Sequence, residues 1–260
     1  MSFRIPVAFI ALMMMGVFVG LNQGIIYKEV GAAQFDPDNR QLNVSISLNL
    51  LGLSFLVGAD QFITCSFAQV LTIPLNRPLF VREVSNRMYS GTPYYLALAT
   101  SSVFTFVLYP IVASITSFYF FELEESSFES LLNWMGILML CAISGAFWGY
   151  ALGTFVEADS TATSANMLSI MFFCYGAGIY VNMATGANAV VRTLSYISPI
   201  RYSCELLLRR VVAGKLGGEK VLEAFGFEWG SDYCMMMLML WTLLCFITGW
   251  IVIVWKTRQI

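Results

Sequence analysis

Long apolar stretches without charged residues are the feature that most constrains this chain. The first runs over 5–27, between Arg4 and Lys28. A bilayer core is about 30 Å thick and a helix rises about 1.5 Å per residue, so one crossing needs about 20 apolar residues. Such stretches predict an all-α membrane protein of six transmembrane helices, with both ends on one side, at about 5–27, 48–73, 96–121, 131–155, 161–181 and 234–255.

Composition agrees with a membrane protein and excludes several functions. Hydrophobic residues make up 58% of the chain and charged residues 12%, whereas soluble domains contain about 45–50% and about 25%. With a formal net charge of −2 and no histidine, nothing indicates a nucleic-acid partner or imidazole chemistry. The cysteines include no C-x-x-C pair and imply no metal site, and a disulfide between Cys204 and Cys234 stays open.

The sequence contains no phosphate-binding loop of the form G-x-x-x-x-G-K-[ST]. The most similar string is GKLG at 214–217. We therefore predict that this chain has no catalytic residues and cannot hydrolyse ATP alone. It also has no ion-selectivity filter and no arginine ladder within a span, which argues against a channel or a voltage sensor.

The second apolar stretch contains a single acidic residue, Asp60. The stretch is either one span with a buried acid or two shorter pieces, and we favour one span. An ionised carboxylate at membrane depth costs about 2.5–3.5 kcal/mol unless it faces protein or water. Asp60 is therefore expected to lie in a substrate path, with a structural bond to a neighbouring helix or a displaced span boundary as the alternatives.

The segment 74–95 combines basic residues with apolar residues at helical spacing, which predicts a short amphipathic helix in the membrane interface. The alternatives are a basic loop that touches anionic lipid and a docking surface for a cytoplasmic partner. The basic residues of this short loop favour cytoplasmic termini. The raw count of Lys and Arg disagrees, because it is higher in the long connection 182–232 on the other side. The residues concerned are Arg77, Leu79, Phe80, Arg82, Glu83, Val84 and Arg87.

Two further patterns concern packing. A connection as long as 182–232 is unlikely to lack structure, and Pro199 followed by an apolar and basic run predicts one or two re-entrant helices there. Glycine recurs at every fourth position of the first and fourth spans, which lets helix backbones approach closely inside the bundle. These glycines are Gly16, Gly20, Gly24, Gly145, Gly149 and Gly153.

Three strings resemble one transporter family. PLNRPLFVRE at 74–83, with Tyr89 and then YLA from Tyr95, resembles the first intracellular loop of the G (white/brown-type) subfamily of ABC transporters. GIYVN at 178–182, then LSYISPIRY at 194–202 and Glu205, resembles the end of the fifth span and the re-entrant outer loop of that subfamily. RIP at 4–6 resembles the motif that opens its first span.

The resemblance implies an ABC-2 type bundle with cytoplasmic termini, a coupling loop at 74–95 and a re-entrant extracellular loop at 182–232. Two copies would enclose a cavity lined by the second and fifth spans. Asn76 stands where the family usually has glutamate, and Tyr180 where relatives often place leucine. The implied site comprises cavity residues Asp60, Phe62, Thr64, Met167, Ile170, Met171 and Cys174, outer-gate residues Ile179 and Tyr180, and coupling residues Arg77, Phe80, Arg82, Glu83 and Arg87.

The function implied is the membrane half of an ATP-driven exporter of lipids, sterols or amphipathic compounds in the plasma membrane or an internal membrane. Its partners would be membrane lipid, a second transmembrane half and a nucleotide-binding domain, which would hold the ATP and Mg²⁺ while this chain binds no cofactor. Family half-transporters carry an ATP-binding domain before the first span, whereas Met1 lies just before it here. The chain is thus a fragment, a truncated gene model or a stand-alone subunit, and the competing functions are a six-span channel or receptor and a regulatory pseudo-subunit.

Overall fold

The computed structural model describes residues 4–28, 30, 33–35, 40–121, 127–156, 158–213, 215 and 217–259, with backbone alone for 4–9, 40 and 42. The predicted all-helical fold class is confirmed within these residues. The helices are α1 (Arg4–Ile26), α2 (Arg40–Val70), α3 (Thr72–Ser85), α4 (Gly91–Phe118), α5 (Phe128–Phe155), α6 (Asp159–Gly176), α7 (Ala189–Ile197), α8 (Pro199–Val212), α9 (Gly218–Phe225) and α10 (Ser231–Thr257), with a 3-10 turn at Tyr119–Phe121.

Helices of membrane-spanning length account for most of the chain. By length and hydropathy, four described segments could cross a membrane, namely Asn43–Ser85, Gly91–Phe121, Phe128–Phe155 and Ser231–Thr257. The apolar part Ile10–Ile26 of α1 is shorter, and α6 has 18 residues. Large apolar side chains such as Phe104 and Met239 are exposed, as expected for helices whose solvent is lipid. The number of six crossings stays a prediction.

Glycines bring α5 into backbone contact with α2. A Cβ atom at Gly145 would lie 2.2 Å from the carbonyl oxygen of Phe62, and one at Gly149 would lie 2.4 Å from that of Ser66. On the other side of the bundle, a Cβ at Gly20 of α1 would lie 2.8 Å from the carbonyl oxygen of Ala113 in α4. The predicted role of these small residues in packing inside the bundle is therefore confirmed.

The segment between α6 and α10 is helical and folds back into the bundle. Ser198 separates α7 from α8, because its hydroxyl donates to the carbonyl of Phe173 at 2.7 Å and accepts from the amide of Arg201 at 3.3 Å. Pro199 begins α8, where its missing amide hydrogen is not needed. All of α8 except Arg209 and Arg210 is buried, and the helix packs against α2, α5 and α10. We call the side of the bundle that carries α7–α9 the re-entrant end.

The opposite side, which we call the α3 end, is formed by α3 with the ends of α5 and α10. A cavity of about 640 Å³ lies between them, lined by Ile73, Arg77, Gly153 and Lys256 among others. Only Leu71 separates α2 from α3. Buried Phe80 attaches α3 to the bundle through its ring, whose centroid lies 4.4 Å from that of Tyr94 in α4.

Candidate functional site

One face of α2 is left open by its neighbours. Leu56, Asp60, Ile63 and Phe67 recur at helical spacing, and each is partly exposed. The opposite face is buried against α5 and α8. A helix inside a bundle with one open face presents that face to lipid, to a cavity or to another subunit.

Asp60 lies on this open face and is bonded to a neighbouring helix. Its Oδ2 accepts from the Tyr109 hydroxyl of α4 at 2.9 Å and from Nε2 of Gln61 at 3.2 Å. Its Oδ1 accepts from the hydroxyl of Thr64 at 3.4 Å. Two of the predicted cavity residues, Asp60 and Thr64, are therefore side by side. The sequence left open a substrate path, a bond to a neighbouring helix or a displaced span boundary; the structure contains the bond to α4, and the substrate path stays a prediction.

Two other predicted cavity residues, Phe62 and Ile170, lie in the contact between α2 and α6 and not on the open face. Phe62 is 1% exposed, and its ring meets that of Phe173 edge-on with centroids 5.8 Å apart. Ile170 is buried in the same apolar cluster. Both side chains hold α2 and α6 together. Sequence reasoning passed over Ile63 and Phe67, although spacings of three and seven residues from Asp60 place them on its side of the helix.

The remaining predicted cavity residues of α6 differ in how far they are exposed. Met167 and Met171 are 59% and 47% exposed and follow each other by one turn. Cys174 is partly buried and packs against the cluster that holds Ile170. All six cysteines, each of which lies in the described part of the chain, are free thiols, so Cys204 and Cys234 form no disulfide.

The predicted outer-gate pair lies where α6 meets the re-entrant end. Gly178 follows the end of α6 and has a φ of +94°, which is not helical. Ile179 then packs against the main core, whereas Tyr180 is 64% exposed. The Tyr180 ring lies 6.2 Å from that of Phe55, centroid to centroid. Tyr180 thus contacts α2 through Phe55, the residue that precedes Leu56 of the open face.

The predicted coupling residues on and after α3 differ in what they contact. Arg82 and Arg87 are exposed, and Arg77 is partly buried. Glu83 accepts a hydrogen bond from the Tyr89 hydroxyl. Burial, together with this bond to Glu83, raises the pKa of Tyr89 to about 12. Phe80 is directed into the bundle, so the surface available to another protein consists of Leu75, Leu79 and Arg82 on α3 and of Arg87 just after it.

A charged network in α8 was not predicted as a site. Arg209 Nη2 lies 2.9 Å from Oε1 of Glu205 and 3.0 Å from the carbonyl oxygen of Phe227. Arg201 Nη2 donates to the carbonyl oxygen of Gly226 at 2.8 Å. The signal in the sequence was the spacing of four residues from Arg201 to Glu205 and from Glu205 to Arg209, which places all three on one face of a helix.

Comparisons with known proteins agree with this architecture. The ABC-2 type transporter family matches residues 2–209. The chain is 26% identical over 178 residues to ABC transporter G family member 25 of Arabidopsis thaliana, covering 68% of this chain and 26% of that protein. It is 30% identical over 164 residues to Protein brown of Drosophila melanogaster, covering 60% and 22%.

A further relative is the broad substrate specificity ATP-binding cassette transporter ABCG2 of Bos taurus, 26% identical over 211 residues, or 81% of this chain and 30% of that protein. The chain thus spans less than a third of the length of each of these three relatives. The apolar helices make it an integral, multi-pass membrane protein. With a family match that extends over most of its length, the chain belongs to the ABC-2 type transporter family, as a membrane domain of the kind found in G-subfamily ABC transporters.

Proposed function

We propose that this chain forms half of the substrate path of an ATP-driven exporter of lipids, sterols or other amphipathic compounds. The observation that carries the proposal is the open face of α2, where Asp60 is partly exposed at membrane depth, together with the exposed methionines Met167 and Met171 of α6. An acidic group at that depth is costly against lipid. A cavity closed by a second transmembrane half gives it a polar surrounding, and an apolar wall with few polar groups suits amphipathic ligands.

The second half of the proposal concerns the source of energy. A membrane domain without a phosphate-binding loop receives work from another protein domain, and α3 is the element placed to receive it. Exposed Arg82, Leu75 and Leu79 on α3, with Arg87 just after it, form a mixed basic and apolar surface at the α3 end. ATP and Mg²⁺ would be held by a nucleotide-binding domain docked there. The broad substrate specificity named for the bovine relative extends to this chain as part of the proposal.

The cavity proposal is tested by enlarging one side chain of α6. Replacing Met171 with tryptophan should narrow the cavity and lower the apparent affinity for transported compounds about tenfold, since small changes of pocket shape have effects of this size. The measurement is uptake of fluorescent phosphatidylcholine and of a fluorescent sterol by inside-out vesicles that contain this chain with its ATP-binding domain. Met239→Trp makes the same change at an exposed site of α10 and should leave uptake unchanged. Equal uptake by both variants would reject the cavity assignment.

Docking at α3 is tested by reversing one exposed charge. Arg82→Glu should weaken the contact with the nucleotide-binding domain roughly tenfold, because like charges brought together across an interface are costly. Uptake and ATP hydrolysis are measured together at limiting concentrations of that domain. Arg210→Glu, an exposed site at the re-entrant end, is the matched control. Glu83 is unsuited to this test, because a substitution there would also remove its hydrogen bond with Tyr89 and so change the local structure. Wild-type behaviour of Arg82→Glu would remove α3 from the proposed interface.

A further inference from the structure

A second site lies at the re-entrant end, away from the open face of α2. A cavity of about 290 Å³ is bounded by α7, the start of α8 and the segment 226–229. Its volume accommodates a small polar group together with water. The residues that line it include Arg192, Ser195, Tyr196, Arg201, Glu228 and Trp229.

Arg201 brings to the wall of this cavity a charge that protein groups satisfy only in part. The side chain is 3% exposed, and among the described residues its one hydrogen bond is donated by Nη2 to the carbonyl of Gly226. Nε and Nη1 have no hydrogen-bond partner among the described residues. The rings of Phe227 and Trp229 lie 5.0 and 4.5 Å from Cζ, which satisfies the charge in part but accepts none of these N–H groups. Buried donors of a charged group are normally paired.

The charges around Arg201 leave an excess of positive charge. Glu205, on the next turn of α8, uses Oε1 for its ion pair with Arg209. One carboxylate thus serves two guanidinium groups. Arg192, exposed at the rim of the cavity, adds a third positive charge. Glu228 also lines the cavity, but it is exposed and forms no ion pair with Arg201 within the described part of the chain.

Aromatic residues place the cavity at the level of a membrane surface. The ring of Trp229 lies 5.2 Å from that of Tyr196, 5.3 Å from that of Tyr202 and 5.7 Å from that of Tyr233. Tryptophan and tyrosine concentrate at the level of lipid headgroups. Val190 of α7 is exposed beside them, as in a helix that lies in the interface. The cavity therefore opens where phosphate groups of lipid are abundant.

We propose that this cavity binds a phosphate group, with the guanidinium of Arg201 attracting it from the wall and Arg192 pairing with it at the rim. Arginine is the side chain best suited to pair with phosphate oxygens. The group comes from a phospholipid headgroup or from free phosphate, which share this chemistry. The site is independent of the transported substrate, so it stands whether or not the proposed export is found.

The test measures thermal unfolding of the purified full chain in detergent with three additives: dioleoylphosphatidylglycerol, dioleoylglycerol and inorganic phosphate. Binding to the folded state raises the melting temperature with ligand concentration. We expect phosphatidylglycerol to raise it and dioleoylglycerol, which lacks the phosphate, to have no comparable effect. If inorganic phosphate alone also raises the melting temperature, the free anion is a ligand of the site. If it does not, the site binds lipid.

Two variants locate the effect. Arg201→Gln should raise the half-saturating concentration of phosphatidylglycerol about tenfold, and Arg192→Gln, an exposed change that leaves the core intact, about threefold. Arg210→Gln removes an exposed charge from the same helix outside the cavity and should bind as the wild type does. If Arg201→Gln fails to fold, Arg192→Gln carries the test. Unchanged half-saturation in Arg192→Gln, or equal stabilisation by dioleoylglycerol, would overturn the proposal.

Discussion

Valine in place of Gly145 is expected to destabilise the bundle strongly. A Cβ at this position would lie 2.2 Å from the carbonyl oxygen and 2.9 Å from the carbonyl carbon of Phe62. These are backbone atoms of α2, which cannot rotate away as a side chain can. Overpacking of this kind costs about 3 kcal/mol or more, and stabilities are typically about 5–15 kcal/mol. The measurement is the yield of monodisperse protein in detergent and its melting temperature.

Gly136 provides a matched control on the same helix. A Cβ there would meet nothing within 4 Å, so Gly136→Val makes the same substitution in α5 without the clash. We expect normal yield and a melting temperature within a few degrees of wild type. If Gly145→Val behaved like Gly136→Val, the close contact between α2 and α5 would be wrong.

Removing the charge of Glu205 is the second change with a large expected effect. Glu205 is fully buried, and its carboxylate is the acidic partner of Arg209. Glu205→Gln keeps the shape of the side chain but leaves Arg201 and Arg209 without a buried negative charge. Breaking a buried pair by removing one partner costs about 3–5 kcal/mol. We expect loss of folded protein or a melting temperature lowered by many degrees.

The control for this prediction is Glu223→Gln, the same change at an exposed site of α9, which should cost less than about 0.5 kcal/mol. A double variant adds a second reading. Replacing both Glu205 and Arg209, for instance with glutamine and methionine, should recover part of the lost stability, because one unpaired charge is removed. If Glu205→Gln were as stable as the wild type, α8 would have to be accessible to water, and the prediction would be wrong.

The positions of the helices were largely predictable because charge-free length is a strong signal. Six long helices lie where the apolar stretches were found, but their ends differ. The span expected at 48–73 lies mostly in α2, which begins at Arg40 and ends at Val70. Its first turns carry polar Asn43 and Ser47, and helical backbone continues past the apolar core. Hydropathy detects the part of a helix in lipid and misses its polar extension.

The direction in which each side chain points, into the bundle or out of it, was less predictable. A helix that is apolar all round contains no amphipathic pattern to identify its inner face. Phe62 and Ile63 are apolar neighbours, yet Phe62 is buried in the contact with α6, whereas Ile63 only packs against the edge of that cluster and stays partly exposed. The close approach of α5 at Gly145 selects between them, and this is a tertiary contact. The burial of Arg201 in α8 likewise depends on Trp229, far along the chain.

The near-continuity of α2 and α3 has a mechanical consequence. Leu71, the one residue between them, has right-handed helical angles (φ −88°, ψ −11°), and its carbonyl accepts from the amide of Leu75 at 3.1 Å. The two helices are therefore joined without a slack linker, and Pro78 removes one backbone hydrogen bond within α3. A displacement of α3 would be passed to α2, and α5 would follow because glycines bring its backbone against that of α2. Phe55, near the middle of α2, would carry the same displacement to the ring of Tyr180.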